Sequence, residues 1–208
     1  MAVMIELNKI IHADCMDTMK DIPDKWFELA IVDPDFGLND KISCGGTWAS
    51  KYKKEDGFLG GKPDSFYFEE LFRISENQII WGGNYFIENL FPSRCFLIWD
   101  KKAKMKTLAD CEMAWTSFDK NAKMFSHSRN VKESRIHICQ KPVALYRWLL
   151  QNYAKPGDKI IDTHSGSGSC AIACFLEHHD FLAIEKDEDY YRASVTRYNE
   201  VISQGRLF

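Results

Sequence analysis

Two short segments hold the residue types that can do chemistry. Asp33-Pro34-Asp35-Phe36-Gly37 puts a carboxylate, a rigid carbonyl and an aromatic face side by side, and Asp162-Thr163-His164-Ser165-Gly166-Ser167-Gly168 is a glycine-rich turn preceded by polar groups. The exocyclic amine of a nucleobase is a poor nucleophile because its lone pair is delocalised into the ring. If both its N–H groups donate to fixed acceptors, the nitrogen can turn that lone pair toward an electrophile. Asp33 offers a side-chain oxygen, Pro34 a backbone carbonyl, and Phe36 a face for a base swung out of its helix. The same residues also suit a plain strand-end turn, with an aspartate cap and a proline break.

The second segment has the character of a nucleotide-type cofactor loop. Gly166 and Gly168 allow a tight turn and close backbone approach, and free amides at a helix start attract polar ligand groups. Glu185 follows about 20 residues on, where an acid can accept hydrogen bonds from a ribose diol. Gly166-Ser167-Gly168-Ser169-Cys170-Ala171 also fits the G-x-G-x-x-A pattern of nicotinamide-binding loops. Two details favour S-adenosylmethionine: Asp162 and His164 lengthen the loop beyond a phosphate turn, and the motif falls late in the chain.

These residues need a scaffold that brings them together. Each segment follows a short apolar run, Leu29 to Val32 and Lys159 to Ile161, which reads as a buried parallel strand ending where open α/β sheets bind ligands. Further strands are expected over Leu7 to Ile11, Gln78 to Trp81, Cys95 to Trp99, Cys111 to Phe118, Lys123 to Phe125 and Phe181 to Ile184. Helical spacing marks Asp64 to Ser75, a helix opening at Pro142, an apolar helix through Leu176, and a last helix entered through Asp187, Glu188 and Asp189. Alternating strands and helices predict a doubly wound α/β sheet in a single domain over residues 1–208. The glycine-rich stretch 37–62 has no clear period and is expected to be a flexible functional loop.

Composition narrows the partners. The chain has 208 residues, 45% of them hydrophobic, and a formal charge of −3, so any nucleic-acid contact must use local basic patches. No stretch is long and apolar enough for a membrane span and no signal peptide is evident. The seven cysteines form no Cys-x-x-Cys pair and no metal-ligand spacing, which points to free thiols and a reducing, cytoplasmic setting.

The sequence resembles the amino-methylating DNA methyltransferases over nearly its whole length. Asp33-Pro34-Asp35-Phe36 stands where that family carries Asp-Pro-Pro-Tyr or a close relative. Trp81-Gly82-Gly83-Asn84-Tyr85-Phe86, Trp99-Asp100-Lys101-Lys102 and Glu112-Met113-Ala114-Trp115-Thr116-Ser117-Phe118 are similar to a phage and prophage branch. His137-Ile138-Cys139-Gln140-Lys141-Pro142 resembles the segment bordering the methionine end of the cofactor. The catalytic segment precedes the cofactor loop, the permuted order of the β class. The resemblance implies a seven-stranded sheet with one antiparallel strand, S-adenosyl-L-methionine as methyl donor and DNA as substrate. It implies methylation of adenine N6, or less so cytosine N4, in a bacterial or phage-infected cell. Asp33, Pro34, Asp35 and Phe36 become the catalytic residues. Asp14, His137, Lys141, Asp162, His164, Gly166, Ser167, Gly168 and Glu185 fall on the cofactor side; Asp14 equally suits a helix cap.

Three features depart from the family pattern. Asp35 replaces the second proline and adds a charge, which is expected to face solvent or pair with a loop lysine. Phe36 lacks the usual tyrosine hydroxyl. The span from Lys101 to Arg135 leaves little room for a target-recognition domain, so readout falls to that stretch, the 37–62 loop or the second subunit of a homodimer. Lys51 and Lys53 beside Trp48 and Tyr52, the run Lys101, Lys102, Lys104 and Lys106, and Arg129 with Arg135 are the expected phosphate contacts. Two rival readings stand: a cofactor- and DNA-binding subunit with an impaired tetrad, and a nicotinamide-dependent oxidoreductase, which leaves the Asp-Pro segment unexplained.

Overall fold

In a computed structural model, residues 5–37, 61–102, 109–128, 136–137 and 139–205 are described. The apolar runs form strands β1 (Lys9–His12), β2 (Phe27–Val32), β3 (Ser75–Trp81), β4 (Phe96–Asp100), β5 (Cys111–Thr116), β6 (Lys123–Ser126), β7 (Ile160–Asp162) and β8 (Phe181–Glu185). The helices are α1 (Cys15–Met19), α2 (Ser65–Ile74), α3 (Val143–Tyr153), α4 (Ser169–Leu176) and α5 (Glu188–Gly205).

The strands form one sheet in the order β1-β8-β7-β2-β3-β5-β4-β6. Among the described residues only β5 is antiparallel, to β3 on one side and β4 on the other. The described residues form eight strands where seven are expected: β6 pairs in parallel with β4 and extends that edge by one short strand. From β2 the chain crosses through α2 to β3, and from the neighbouring β7 it crosses through α4 to β8 in the opposite direction. The carboxyl ends of β2 and β7 therefore flank the topological switch point, where such sheets open a crevice. Asp33 and Asp162 stand at those two ends.

Both faces of the sheet are covered. One core joins Leu29, Ile31, Ile79 and Ile160 to Leu145, Leu149 and Leu150 of α3 and to α4, with Tyr198 of α5 beside them. The other packs Phe27, Ala30, Val32 and Ile80 against Tyr67, Phe68, Leu71 and Ile74 of α2 and Met19 of α1. Completely buried side chains such as Phe27, Leu71 and Ile74 each contribute roughly 1.5–3 kcal/mol of hydrophobic stabilisation. Asp64 caps α2 by accepting from Tyr67 N at 3.1 Å, and Pro142 precedes α3 in extended conformation, its carbonyl accepting from Leu145 N at 3.0 Å. Cys170 and Cys174 lie buried on α4. No helix among the described residues is long and apolar enough to cross a membrane.

Candidate active site

Asp33 is set by the end of β2, where Pro34 stops the ladder and is itself buried. One of its oxygens, Oδ2, accepts from Lys141 Nζ at 2.5 Å, while Oδ1 is buried with no partner among the described residues. Lys141 also reaches Glu112 Oε2 at 3.0 Å, and Lys101 Nζ holds Glu112 Oε1 at 2.7 Å. Because β5 runs against its neighbours, Glu112 near its start lies opposite Trp99 near the end of β4. That reversal brings Glu112 to the edge where the parallel strands finish. Two carboxylates and two ammonium groups thus form a chain across the site, over the rings of Trp81 and Trp99.

Burial sets the charge states in this chain. Desolvation opposes the ammonium of Lys141, yet Asp33 and Glu112 together hold its pKa above the usual value. Desolvation also opposes the Glu112 carboxylate, but Lys141 and Lys101 pull it down to about 2. Asp33 is pushed up by burial, with Lys141 pulling it back and Glu112 adding to the rise.

Phe36 stacks on Tyr85, with ring centroids 5.0 Å apart and planes at 14°. It rests on the backbone at the end of β3: a Cβ at Gly82 would lie 2.1 Å from the Phe36 ring, and Gly82 has φ of +68°. Only glycine serves there. Asp35, half-buried beside the exposed Gly37, bonds backbone amides among the described residues. Its Oδ1 accepts from Gly37 N at 2.9 Å and its Oδ2 from Gly61 N at 3.0 Å. The charge added by this departure from the family pattern is thereby held by two backbone amides in an exposed setting, and the loop lysines at 51, 53 and 54 lie outside the described residues.

The second loop follows β7. Asp162 is buried and accepts from His164 N at 3.1 Å; desolvation raises its pKa to about 8. Thr163 Oγ1 lies 2.9 Å from His164 Nδ1 and 2.7 Å from the hydroxyl of Tyr67, which ties α2 to the loop. Gly166 has φ of +51° and donates to Glu185 Oε2 at 2.7 Å, while Asp187 N donates to Glu185 Oε1 at 2.8 Å. Burial raises the Glu185 pKa. His137 lies over Gly166 and against Tyr190, and desolvation lowers its pKa to about 4. Buried Arg197 donates to Ser167 O and to Ser169 Oγ, both at 2.9 Å, and so buttresses the turn through Gly168. Ser165 Oγ is buried without a partner among the described residues.

The structure therefore brings Asp33, Pro34, Phe36 and Lys141 to one side of the switch point. Asp162, His164, Gly166, Ser167, Gly168, Glu185 and His137 gather on the other. Lys141 sits on the Asp33 side, bonded to the amine-acceptor candidate. Asp14 caps α1 through Met16 N at 2.8 Å and pairs with Lys186 at 2.7 Å, so the capping alternative is realised. Lys101 corrects another expectation: it is 7% exposed and ion-paired inside the site, apart from exposed Lys102. Lys51, Lys53, Lys104, Lys106, Arg129 and Arg135 lie outside the described residues, as does most of the 37–62 loop. Glu112, Tyr67 and Arg197 escaped the sequence reading because a strand-start glutamate, a helical aromatic and a C-terminal helix arginine carry no local signal of a site.

Comparison with solved structures places the fold. The chain superimposes on the M1.HpyAVI–SAM complex with a TM-score of 0.61 at 20% identity, covering 91% of this chain and 98% of that one. For the PvuII DNA methyltransferase (cytosine-N4-specific) the TM-score is 0.65 at 13% identity, over 94% and 90% of the two chains. For TTHA0409, a putative DNA modification methylase of Thermus thermophilus solved with S-adenosyl-L-methionine, it is 0.58 at 16% identity, over 93% and 95%. The sheet has the fold of these methyltransferases. The DNA methylase family model N6_N4_Mtase matches residues 47–196, and the chain belongs to that family. Among curated relatives, the type II methyltransferase M.HinfI of Haemophilus influenzae is 22% identical over 94% of this chain and 69% of its own length. M2.MboI of Moraxella bovis is 32% identical over a shorter match, 31% of this chain and 24% of that protein.

Proposed function

We propose that this chain transfers a methyl group from S-adenosylmethionine to the exocyclic amine of a DNA base, N6 of adenine, as a permuted β-class enzyme of phage or prophage type. The observation that carries the reading is the placement of the Asp33-Pro34 acceptors and the Gly166–Glu185 loop on the two sides of one switch point. The cofactor supplies an electrophilic methyl group on a sulfonium sulfur.

The residues of the second loop fit such a group. Each Glu185 oxygen accepts one backbone amide and keeps a lone pair for a hydroxyl of a ribose diol. Ser165 Oγ is an orphaned buried hydroxyl in the same loop. His137 closes the loop from above, and Asp162 fixes its entry by accepting from His164 N.

On the other side, Asp33 Oδ1 is a buried acceptor that one amine N–H would satisfy, and the carbonyl of Pro34 takes the second. With both hydrogens committed, the nitrogen lone pair points out of the base plane, toward the loop side. Phe36, with its ring fixed by Gly82 and Tyr85, presents an aromatic face to the base. Lys102 and the basic residues at 51, 53, 104, 106, 129 and 135 supply phosphate contacts, and a second copy of the chain supplements target readout. The choice of adenine follows the resemblance of Trp81–Phe86 and Trp99–Lys102 to the phage and prophage branch.

Incubating the chain with DNA and labelled S-adenosylmethionine, then digesting the product for nucleoside mass spectrometry, tests this reading. N6-methyladenine supports it, N4-methylcytosine replaces the target base, and absence of label in any nucleoside defeats it.

A further inference from the structure

The ion chain beside Asp33 is more than a means of neutralising a buried carboxylate. Lys141 has only 2% of its side chain exposed, and it bonds one Asp33 oxygen and one Glu112 oxygen at once. The remaining Asp33 oxygen has no donor among the described residues, although it is buried. A carboxylate held by a single oxygen and left open at the other is oriented, with its free lone pair fixed in direction. Glu112 competes for the same ammonium, and Lys101 in turn competes for Glu112. We propose that Lys141 and Glu112 are positioning residues for the amine acceptor: Lys141 anchors Asp33 by Oδ2 so that Oδ1 faces the target N–H, and Glu112 sets how strongly Lys141 engages Asp33.

This inference rests on the methyl-transfer reading and adds to it a pair that acts through Asp33. Neither residue needs to touch the base. The charged groups facing Asp33 come from several elements: Lys141 before α3, Glu112 on β5, Lys101 after β4 and Asp162 at the end of β7. The phenols of Tyr67 on α2 and Tyr146 on α3 also feel its charge. Of these, only Lys141 forms an ion pair with Asp33, so removing its charge and removing that of Glu112 should move Asp33 in opposite directions.

The test follows the Asp33 carboxyl directly. Protein labelled with 13C at the aspartate carboxyl is titrated by NMR, and the Asp33 resonance is identified by its loss in Asp33→Asn. In Lys141→Met the midpoint should rise by about 1–3 pH units, the range for losing an opposite charge at this distance. In Glu112→Gln it should fall, because Lys141 is then left to Asp33. Lys141→Arg should restore a midpoint near that of the unaltered chain, and it serves with Glu112→Gln if Lys141→Met does not fold. The acid limb of single-turnover methylation should move in the same two directions. Midpoints and limbs that stay fixed while rates fall evenly would reduce both residues to packing and overturn the proposal. If the unaltered chain methylates no DNA, the methyl-transfer reading fails separately, since the carboxyl titration needs neither DNA nor cofactor.

Discussion

Asp35 and Gly61 are joined by a 3.0 Å hydrogen bond that spans 26 positions of sequence, and the same carboxylate takes Gly37 N at 2.9 Å. The residue that departs most from the family tetrad therefore ties both ends of the following glycine-rich segment to the Asp33–Phe36 turn. The nearby pairing of Lys62 with Glu88 fixes the returning chain to the turn after β3.

This arrangement predicts that Asp35→Pro impairs and does not improve the tetrad. Losing two amide–carboxylate bonds on a partly exposed side chain should cost roughly 1–2 kcal/mol of stability. The single-turnover methylation rate should fall by less than about tenfold, or ~1.4 kcal/mol in barrier. Asp35→Asn, which keeps an acceptor for one amide, should lie between the two. A gain of a hundredfold with proline would show that the natural tetrad is impaired and would favour a binding subunit.

Asp33→Ala should abolish methyl transfer and leave S-adenosylmethionine affinity within a few fold. Its proposed partners are the target amine and Lys141, both away from the Gly166 loop. Parallel rate and calorimetric measurements check this; near wild-type turnover would remove Asp33 from the mechanism.

Glu185→Ala should weaken S-adenosylmethionine binding by about tenfold to a hundredfold, since hydrogen bonds to a carboxylate are typically worth ~1.5–3 kcal/mol. Because Glu185 also holds Gly166 N and Asp187 N, Glu185→Gln is the sharper comparison. It keeps an acceptor oxygen but removes the charge, and calorimetry on both variants separates the two contributions.

The combined contribution of His137, His164 and Asp162 to stability should peak near pH 6.5. His137 and His164 are lowered by burial from 6.5 to about 4, so between these values the unfolded chain binds more protons at them and stability rises with pH. Asp162 is raised to about 8, so the folded chain keeps a proton there that the unfolded chain has already lost. Its contribution falls as pH climbs from about 4 to 8, and above pH 6.5 the histidines no longer offset it. Asp162→Asn should flatten the decline between pH 6.5 and 8 in chemical denaturation; an unchanged decline would assign it elsewhere.

Replacing Lys102, Lys104 and Lys106 with glutamine should weaken binding to all DNA sequences and flatten its dependence on salt by about 0.7–0.9 for each phosphate no longer neutralised. Lys101 is left out because its ammonium is committed to Glu112. Fluorescence anisotropy across a salt series gives the slope, and a constant slope would leave this run as a solvated surface.

Sequence patterns located most of the elements because burial imposes period. The expected helix over Asp64 to Ser75 became Ser65–Ile74 with Asp64 as its cap, and the expected strand over Gln78 to Trp81 grew backward to Ser75. The two loops of the candidate site were legible because strand, turn and glycine follow each other locally. The Lys141–Asp33 bond was not, since it joins positions 108 apart through two different elements. Glu112 was hidden by strand direction: its place at the site depends on β5 running against its neighbours, which no local pattern in Cys111–Thr116 announces. Lys101 was misread because a run of lysines looks solvated, although Glu112 and the Trp99 ring draw its first member inward.

The reversal of β5 also gives the chain an unusual place to tolerate evolutionary growth. The polypeptide leaves the ion cluster at Lys101 and re-enters it at Glu112, so both anchor points of the connecting span are fixed by their bond to each other. Material inserted between Lys102 and Ala109 would leave untouched the ladder that pairs Asp100 with Cys111. A lineage could lengthen or exchange that span to change which DNA it reads while the bond between its two feet preserves the chemistry beneath.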